Sequence, residues 1–361
     1  NMAEIKEIAS KFDLLGKVVD AKPCGSGLIN DTYLVTTESD ETPNYILQRI
    51  NHSIFTDVDL LQDNMVKITN HIRKRLQAAG ASDIDRRTLT VVPAKDGKLY
   101  YFDGESYWRV TIAIRGCVTH EQGTPEMAYR TGRAFGEFHA YFIGDDVPQL
   151  GETIPDFHNM SARLRQLDEA IKADKMGRLE KVRPIVDEVI ARAVEMTQAE
   201  RLYAEGKLPK RISHCDTKVN NILFDNDDNV LCVIDLDTTM PGFVLSDFGD
   251  FMRTAGNTGA EDDPDLSRVG VNMEVFRAFT KGYIETAAPM LTDIEKKMLP
   301  FGAKLLTYMT AVRFLTDYLK GDVYFKIQHP EHNLQRTIAQ LHLLKSFDEH
   351  TEEMNAYIAS L

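Results

Sequence analysis

The sequence predicts an α+β protein in two unequal parts: a small antiparallel sheet in residues 1–113 and a mostly helical part in residues 114–361. Short runs rich in β-branched and aromatic residues, each bounded by Gly, Asp, Asn or Pro, predict the sheet, namely KVVDAKP, DTYLVTTE, NYILQRI, LTVVPA and YWRVTIAI. From Pro125 onward, apolar residues recur at three- and four-residue steps, which is typical of helices. One β segment, at about 210–240, interrupts this helical half.

Individual elements have recognisable signals. The run Val58–Gly80 carries apolar residues at helical spacing, and its final Gly is a stop signal. Pro125 suits a first helical turn. In the helix that follows, Gly132 and Gly136 lie four residues apart, which allows another backbone to approach closely. Further helices are predicted at 160–205, 272–288, 292–320 and 331–359.

The charge balance excludes some classes of function. The chain has 42 Lys and Arg against 55 Asp and Glu, a formal net charge of −13. No basic field therefore exists to attract nucleic acid or an anionic membrane. An anionic substrate would have to be held by local positive charge or by a metal.

The cysteines and the apolar runs predict a cytoplasmic protein. The four cysteines are widely spaced and form no C-x-x-C pair, so we expect reduced thiols. No apolar run approaches the roughly 18 residues of a membrane-spanning helix, and the beginning of the chain lacks a signal-peptide pattern.

The residues suited to catalysis cluster in the β segment. His214, Asp216 and Asn221 have the H-x-D-x-x-x-x-N spacing of a phosphotransferase catalytic loop. Asp216 would orient and deprotonate an attacking hydroxyl, and the amide oxygen of Asn221 is a hard ligand suited to Mg²⁺.

A predicted hairpin supplies a further carboxylate. The strand 222–224, the polar turn 225–229 and the strand 230–234 would return the chain beside its start, which brings Asp235 close to Asn221. If the second strand continues, Asp235 and Asp237 share one face. The alternative is a set of turn acids with a buried polar network. A metal site is favoured because carboxylates placed against a core are costly without a partner.

These segments resemble the aminoglycoside phosphotransferase and choline kinase-like family. The shared phrases run along nearly the whole chain and include CGSGLINDTYLV, HCDTKVNNILFD, VIDLDTTMPG, SDFGD, VRFLTDYLKGDVYF and HPEHNLQRT. The resemblance implies a protein-kinase-like two-lobed fold that uses ATP and Mg²⁺. Within the family, the phrases are most similar to those of enzymes that phosphorylate the anomeric hydroxyl of N-acetylhexosamines. A small-molecule sugar and ATP are therefore the expected partners.

The resemblance also implies roles for single residues. Asp216 matches the catalytic base that contacts the acceptor, and Asn221 and Asp235 match the magnesium ligands. Gly25, Ser26 and Gly27 match the loop over the ATP phosphates, although a G-x-G alone is more often a plain turn. Ile112 and Ile114, in the linker Trp108–Ile114, match the backbone positions that bind adenine.

The sequence departs from the kinase pattern at the phosphate-holding lysine. Gln48 stands at that position on the third strand, and the following helix offers Asp63 rather than the usual glutamate partner. Either Arg49 or another cation holds the phosphates, or Gln48 hydrogen-bonds them while magnesium neutralises their charge. Alternation places Arg49 on the opposite face, which favours the second explanation. A nucleotide-binding protein without activity is a third possibility.

Candidates for the acceptor site lie near the end of the chain. Arg313 would hydrogen-bond sugar hydroxyls and Tyr324 would pack on the sugar ring, as the resemblance implies. The alternative for Arg313 is an ion pair with Asp317, four residues on in the same helix. An arginine facing the acceptor would also repel amino alcohols and aminoglycosides, the acceptors of the rival kinase function.

The tripeptide Asp247-Phe248-Gly249 has the form of a kinase magnesium motif. It follows Asp235 by twelve residues and lies where a helix is predicted to begin. Asp247 is therefore not expected to be the magnesium ligand. By position it resembles the helix aspartate with which kinase folds hold the backbone of the catalytic loop, and His214 is expected to be a second support of that loop. Helix capping by Ser246 or Asp247 is the alternative.

Overall fold

The computed structural model describes residues 1–25, 29–121 and 123–361. It confirms the α+β class, with an antiparallel sheet followed by mostly helical structure. The strands are β1 (Val18–Pro23), β2 (Asp31–Thr37), β3 (Tyr45–Ile50), β4 (Val91–Val92), β5 (Tyr101–Phe102), β6 (Tyr107–Ile112), β7 (Arg211–Ser213), β8 (Ile222–Phe224), β9 (Val230–Val233) and β10 (Met240–Gly242). The helices are α1 (Met2–Ala9), α2 (Val58–Ala78), α3 (Ile84–Arg87), α4 (Pro125–Tyr141), α5 (Met160–Ala173), α6 (Leu179–Ala191), α7 (Ala193–Met196), α8 (Gln198–Ala204), α9 (Val244–Thr254), α10 (Met273–Ala287), α11 (Asp293–Lys297), α12 (Leu299–Lys320) and α13 (His332–Ser360).

The chain divides into two compact units, and each unit is formed by three separate segments of the chain. The first unit joins Asn1–Thr119 to Ile143–Pro155 and Ile222–Thr239. The second unit contains the remaining segments, namely His120–Phe142, Asp156–Asn221 and Met240–Leu361. The β8–β9 hairpin therefore belongs to the unit that holds the large sheet.

The sheet of the first unit has the strand order β1-β2-β3-β6-β4, with β5 also paired to β6. In β3, as in any strand, successive side chains point to opposite faces of the sheet. Tyr45 and Leu47 of β3 belong to the core that α1 covers. Ile50, on the other face, packs with Val58 and Leu61 of α2. That second face also carries Gln48, which places it on the α2 side of the sheet.

In the second unit, α4 and α10 pack with almost no space between their backbones. A Cβ on Gly132 would lie 2.3 Å from the carbonyl oxygen of Phe279, and one on Gly136 would lie 2.6 Å from that of Tyr283. A Cβ on Gly282 of α10 would overlap the carbonyl oxygen of Tyr129 in the same way. The close backbone approach predicted from the Gly132 and Gly136 spacing is confirmed. None of the described helices is long and apolar enough to cross a lipid bilayer.

Gly132→Ala is expected to destabilise the protein, although Ala normally favours a helix over Gly by about 1 kcal/mol. The methyl group would overlap a backbone carbonyl that cannot rotate away, and overpacking of this kind costs about 1–3 kcal/mol. Urea unfolding monitored by circular dichroism measures the change. Gly123→Ala is the control, because its Cβ would meet no atom closer than 3.7 Å. Equal unfolding midpoints for the two variants would contradict the packing explanation.

Candidate active site

The loop after β7 carries the predicted base. β7 is fixed by antiparallel pairing with β10, and the loop ends in a short 3₁₀ helix, Val219–Asn221. Within the loop, the amide nitrogen of Asn221 donates to the backbone oxygen of Asp216 at 2.8 Å and to its Oδ2 at 3.2 Å. The two predicted residues are therefore brought together. The amide nitrogen is committed to Asp216, and Oδ1 of Asn221 is the atom that a cation would take.

Asp247 holds the backbone of this loop. Its Oδ2 accepts the His214 N–H at 2.7 Å, and its Oδ1 accepts the Cys215 N–H at 2.8 Å. Cys215 lies in the left-handed region with φ of 67°, so the two N–H groups converge on one carboxylate. Thr217 adds a bond to the backbone oxygen of Asp247 at 2.6 Å. Asp247 lies inside α9, whose first turn has no side-chain cap.

A buried histidine completes the support of Asp247. The Nε2 of His139 lies 2.6 Å from Asp247 Oδ2, and its Nδ1 lies 2.8 Å from the Tyr283 hydroxyl. Burial alone would raise the pKa of Asp247, but the bond from His139, the charges of His139 and His214 and the His214 N–H lower it below its ordinary value. The carboxylate is consequently held ionised in the core. Sequence reasoning missed His139, since a lone histidine in a helix carries no distinguishing signal.

Two charged groups border Asp216. Lys218 Nζ lies 3.2 Å from Asp216 Oδ1, and both side chains are partly exposed. Asp250 is buried, and burial raises its pKa, with Arg253 opposing the rise and the charge of Asp216 adding to it. His214, the predicted support, accepts the Asp216 N–H on its Nδ1 at 3.2 Å. The predicted base is thus held through its backbone, while its side chain remains partly exposed.

Arg313 lies among aromatic rings. Its guanidinium carbon is 5.6 Å from the ring centres of Phe157 and Tyr324 and 5.3 Å from that of Phe325. Burial lowers the pKa of Arg313, and Asp250 is among the charges that act on it. The charge of Asp216 in turn acts on Asp250.

Asp317 organises the loop that presents Tyr324. Its carboxylate accepts the backbone N–H groups of Val323, Tyr324 and Phe325 at 2.9–3.0 Å. It also accepts from the Asn333 amide at 2.8 Å. The loop begins at Gly321, which ends α12 in the left-handed conformation. Asp317 therefore binds loop N–H groups instead of forming the alternative ion pair with Arg313 along the helix.

The β8–β9 hairpin forms in the first unit as predicted, but its second strand does not continue. β8 pairs antiparallel with β9, and Ile222 lies opposite Val233. The strand does not continue to Asp237, because Asp235 adopts a left-handed conformation with φ and ψ of 61° and a 3₁₀ turn, Leu236–Thr238, follows. Strand alternation therefore does not describe Asp235 and Asp237.

Gln48 contacts an arginine that sequence reasoning missed. Its Oε1 accepts from Arg109 Nε at 3.0 Å, and its Nε2 donates to Thr32 at 3.0 Å. Arg109 also binds Gln62 of α2 and Asp237. Gln62 is buried in that helical turn, whereas Asp63 is exposed. The available signal was a charged residue inside the buried strand run YWRVTI.

The remaining nucleotide-site candidates lie in the first unit. Gly25 adopts φ of 80°, which favours glycine. Ser26 and Gly27 lie outside the described residues. Ile112 ends β6 and donates its N–H to Thr90, while the carbonyl of Ile114 accepts from the Cys117 thiol. Arg49, the other cation considered, pairs with Asp31 at the surface.

Comparison with known families adds an independent observation. The model of the phosphotransferase enzyme family matches residues 20–279, which include most of the large sheet, the loop after β7 and Asp247. The chain belongs to this family. It is therefore a phosphotransferase, and membership does not specify the acceptor.

Several solved structures have a similar fold. Choline kinase from Cryptosporidium parvum is 14% identical with a TM-score of 0.59, and the match covers 99% of this chain and 98% of that one. Amicoumacin kinase hAmiN, in complex with AMP-PNP, Ca²⁺ and Ami, is 14% identical with a TM-score of 0.58, over 97% and 93% of the two chains. Spectinomycin phosphotransferase APH(9)-Ia, in complex with ADP and spectinomycin, is 14% identical with a TM-score of 0.55, over 98% and 99%. At these identities, the matches support the protein-kinase-like fold.

Proposed function

We propose that this phosphotransferase is an N-acetylhexosamine 1-kinase, which transfers the γ-phosphate of ATP to the anomeric hydroxyl of N-acetylglucosamine or N-acetylgalactosamine. The products are the sugar 1-phosphate and ADP. The observation that carries the proposal is the Asp216 carboxylate, bonded to Asn221 in a loop anchored on Asp247. The long phrases shared with hexosamine-phosphorylating members of the family support the choice of acceptor.

In this mechanism, Asp216 takes the proton of the anomeric hydroxyl as that oxygen attacks the γ-phosphorus in line. The new bond joins the sugar oxygen to phosphorus, and the bond from phosphorus to the β,γ-bridging oxygen breaks to release ADP. Lys218 lies beside the base and offers positive charge to the transferring phosphoryl group. Asn221 keeps the carboxylate in a fixed orientation.

Asn221 and Asp235 are the proposed magnesium ligands. They offer an amide oxygen and a carboxylate, both hard donors of the kind that Mg²⁺ prefers. In the described part of the chain, no three His, Cys, Asp or Glu side chains group closely enough to hold a metal. A site with two protein ligands suits Mg²⁺, which commonly keeps several waters and substrate phosphates as ligands. When bound, Mg²⁺ would neutralise charge on the β- and γ-phosphates.

For ATP, we propose that the loop at Gly25, Ser26 and Gly27 covers the phosphates. Backbone groups at Ile112 and Ile114 would bind adenine. Gln48 has one amide N–H engaged with Thr32, and its second N–H could be donated to a phosphate oxygen.

Arg313 supports a neutral or anionic acceptor. A guanidinium facing the acceptor repels the cationic amino alcohols and aminoglycosides used by other phosphotransferases. It donates hydrogen bonds to sugar hydroxyls or to an acetamido carbonyl, while the aromatic rings around it offer apolar contact to a sugar ring. These features favour an N-acetylhexosamine over choline.

An ADP-release panel tests the proposal. N-acetylglucosamine, N-acetylgalactosamine, glucose, galactose, choline, ethanolamine and kanamycin are each supplied with ATP and Mg²⁺. ADP release confined to the N-acetylhexosamines is expected. Release with choline or kanamycin would favour the rival acceptors. ATP binding in a thermal-shift assay without turnover on any acceptor would favour the nucleotide-binding pseudokinase.

Arg313→Met is expected to raise the KM for the N-acetylhexosamine by about 10- to 100-fold, because a hydrogen bond to a charged group contributes about 1.5–3 kcal/mol. Met fits the aromatic surroundings and is not expected to disturb folding. Initial rates at varied sugar and at varied ATP separate the two substrates. Lys210→Met is the control, since Lys210 Nζ also lies over a ring, 4.4 Å from the centre of Tyr203. A raised KM for ATP with an unchanged KM for the sugar would contradict the acceptor assignment.

A further inference from the structure

Arg109 and Asp237 form a buried ion pair in the first unit. Both side chains are 4% exposed. Two parallel hydrogen bonds join them, from Nη1 to Oδ1 at 2.5 Å and from Nη2 to Oδ2 at 2.8 Å. A bidentate fork of this kind fixes direction as well as distance. Asp237 is consequently held in one orientation relative to β6.

Two glutamines extend the pair to other elements. Arg109 Nε donates to Oε1 of Gln48 on β3, and its Nη1 donates at 3.2 Å to Oε1 of Gln62 on α2. The amide nitrogen of Gln62 donates to the Leu99 carbonyl at 3.0 Å, which orients its oxygen toward the arginine. Protein kinases join this strand and helix through a lysine–glutamate pair. Here the positive charge lies on β6 instead, between two neutral amides.

The segment that carries Asp235 is fixed from several sides. Asp237 Oδ2 accepts from Asn30 at 3.1 Å, and the backbone oxygen of Asp237 accepts from Thr153 at 2.5 Å. Asp235 lies two residues earlier, in the left-handed conformation that begins the 3₁₀ turn. The charge of Asp235 acts on Arg109, so the two side chains lie within electrostatic reach. Rotation of Asp237 would therefore displace Asp235.

We propose that Arg109 is a positioning residue that, through Asp237, fixes the direction in which Asp235 presents its carboxylate to a magnesium–nucleotide complex. This inference rests on the proposed use of ATP and Mg²⁺. Arg109 replaces the organising function of the kinase lysine without contacting phosphate. The hydrogen bonds to Asp237, Gln48 and Gln62 occupy four of the five guanidinium donors.

The test compares AMP-PNP binding with and without Mg²⁺ by isothermal titration calorimetry. Arg109→Lys keeps the charge but loses the fork. Asp237→Asn keeps the shape but loses the charge. The double variant Arg109→Met with Asp237→Leu leaves no uncompensated buried charge and therefore has the best prospect of folding.

In all three variants, the increase in AMP-PNP affinity that Mg²⁺ causes is expected to be about 10- to 100-fold smaller than in wild type. This is the usual effect of losing the support behind a metal ligand. In Asp237→Asn, which leaves Arg109 bonded to Gln48, affinity without Mg²⁺ should change by no more than about two-fold. Arg75→Gln is the matched control, because it breaks another arginine–aspartate pair of the same unit, to Asp146. Arg75 lies about 20 Å along α2 from Gln62, and its variant should keep the full gain.

Three outcomes would overturn the inference. If Arg109→Lys weakens binding without Mg²⁺ while Asp237→Asn keeps the full Mg²⁺ gain, Arg109 acts on the phosphates, directly or through Gln48, and not on Asp235. Variants that unfold at lower temperature but keep the Mg²⁺ gain would make the pair merely structural. If Mg²⁺ does not raise the AMP-PNP affinity of the wild type, the proposed function is overturned as well. A result confined to the variants concerns Arg109 alone.

Discussion

Asp216→Asn is expected to lower kcat by about 10²- to 10⁴-fold, the usual contribution of a positioned general base. Asn has nearly the same shape, and the bond from Asn221 to the backbone oxygen of residue 216 does not depend on the side chain. The loop should therefore keep its structure, and the KM for ATP should change little. The loss comes from the absence of a group that accepts the hydroxyl proton. Steady-state kinetics with an N-acetylhexosamine measure it.

The control for this variant is Asp227→Asn, in the exposed turn of the β8–β9 hairpin. It removes the same charge from the chain at a position without a proposed catalytic function, and kcat should stay within about two-fold of wild type. Circular dichroism should show both variants folded. An Asp216→Asn enzyme with undiminished kcat would contradict the assignment of the base.

Asp247→Asn is expected to lower both stability and activity. The substitution removes a buried carboxylate that accepts two loop N–H groups and a bond from His139. Loss of one partner from a buried charged network costs about 3–5 kcal/mol. The loop bearing Asp216 would also lose its anchor, so kcat should fall even in the folded fraction. Urea unfolding at neutral pH and kinetics below the unfolding midpoint measure the two effects.

The pH dependence of this stability follows from the lowered pKa of Asp247. A carboxylate whose pKa is lower in the folded state stabilises that state at pH values above its unfolded pKa of about 3.9. The contribution disappears as the pH falls through the folded pKa. The difference in unfolding free energy between wild type and Asp247→Asn should therefore be largest at neutral pH and shrink in acid.

Asp265→Asn is the control for Asp247. Its carboxylate also accepts a backbone N–H, that of Ser267 at 3.1 Å, but the side chain is exposed. Its substitution should cost less than about 1 kcal/mol. Equal stability of the Asp247 variant and wild type, together with an unchanged kcat, would show that the loop does not depend on this carboxylate.

Local patterns predicted much of the fold. β3 and α2 begin within one residue of their predicted starts, because short β-branched runs and helical apolar spacing report local preferences directly. The β8–β9 hairpin is also as predicted, since its polar turn is visible in the sequence. The tripeptide Asp247-Phe248-Gly249 lies within α9, and its glycine is required because a Cβ would lie 1.9 Å from the carbonyl oxygen of Gly302. A helix crossing, rather than a magnesium motif, explains this glycine.

The network around Arg109 could not be predicted in the same way. Its partners Gln62 and Asp237 are distant in sequence, so no spacing rule connects them. A shared face for Asp235 and Asp237 depended on the strand continuing, but β9 ends at Val233 and the backbone turns left-handed at Asp235. A left-handed aspartate has no reliable sequence signal, since Asn and Asp adopt this conformation only occasionally. Contacts made by the complete fold determine such details.

The measurement that tests the central claim most directly is nuclear magnetic resonance of the product formed from N-acetylglucosamine or N-acetylgalactosamine with ATP and Mg²⁺. The proposed function predicts a single phosphomonoester whose phosphorus couples to the anomeric proton of the sugar. A coupling to the protons at C6, or an unchanged sugar alongside phosphorylated choline in a parallel reaction, would contradict the assignment of this chain as an N-acetylhexosamine 1-kinase.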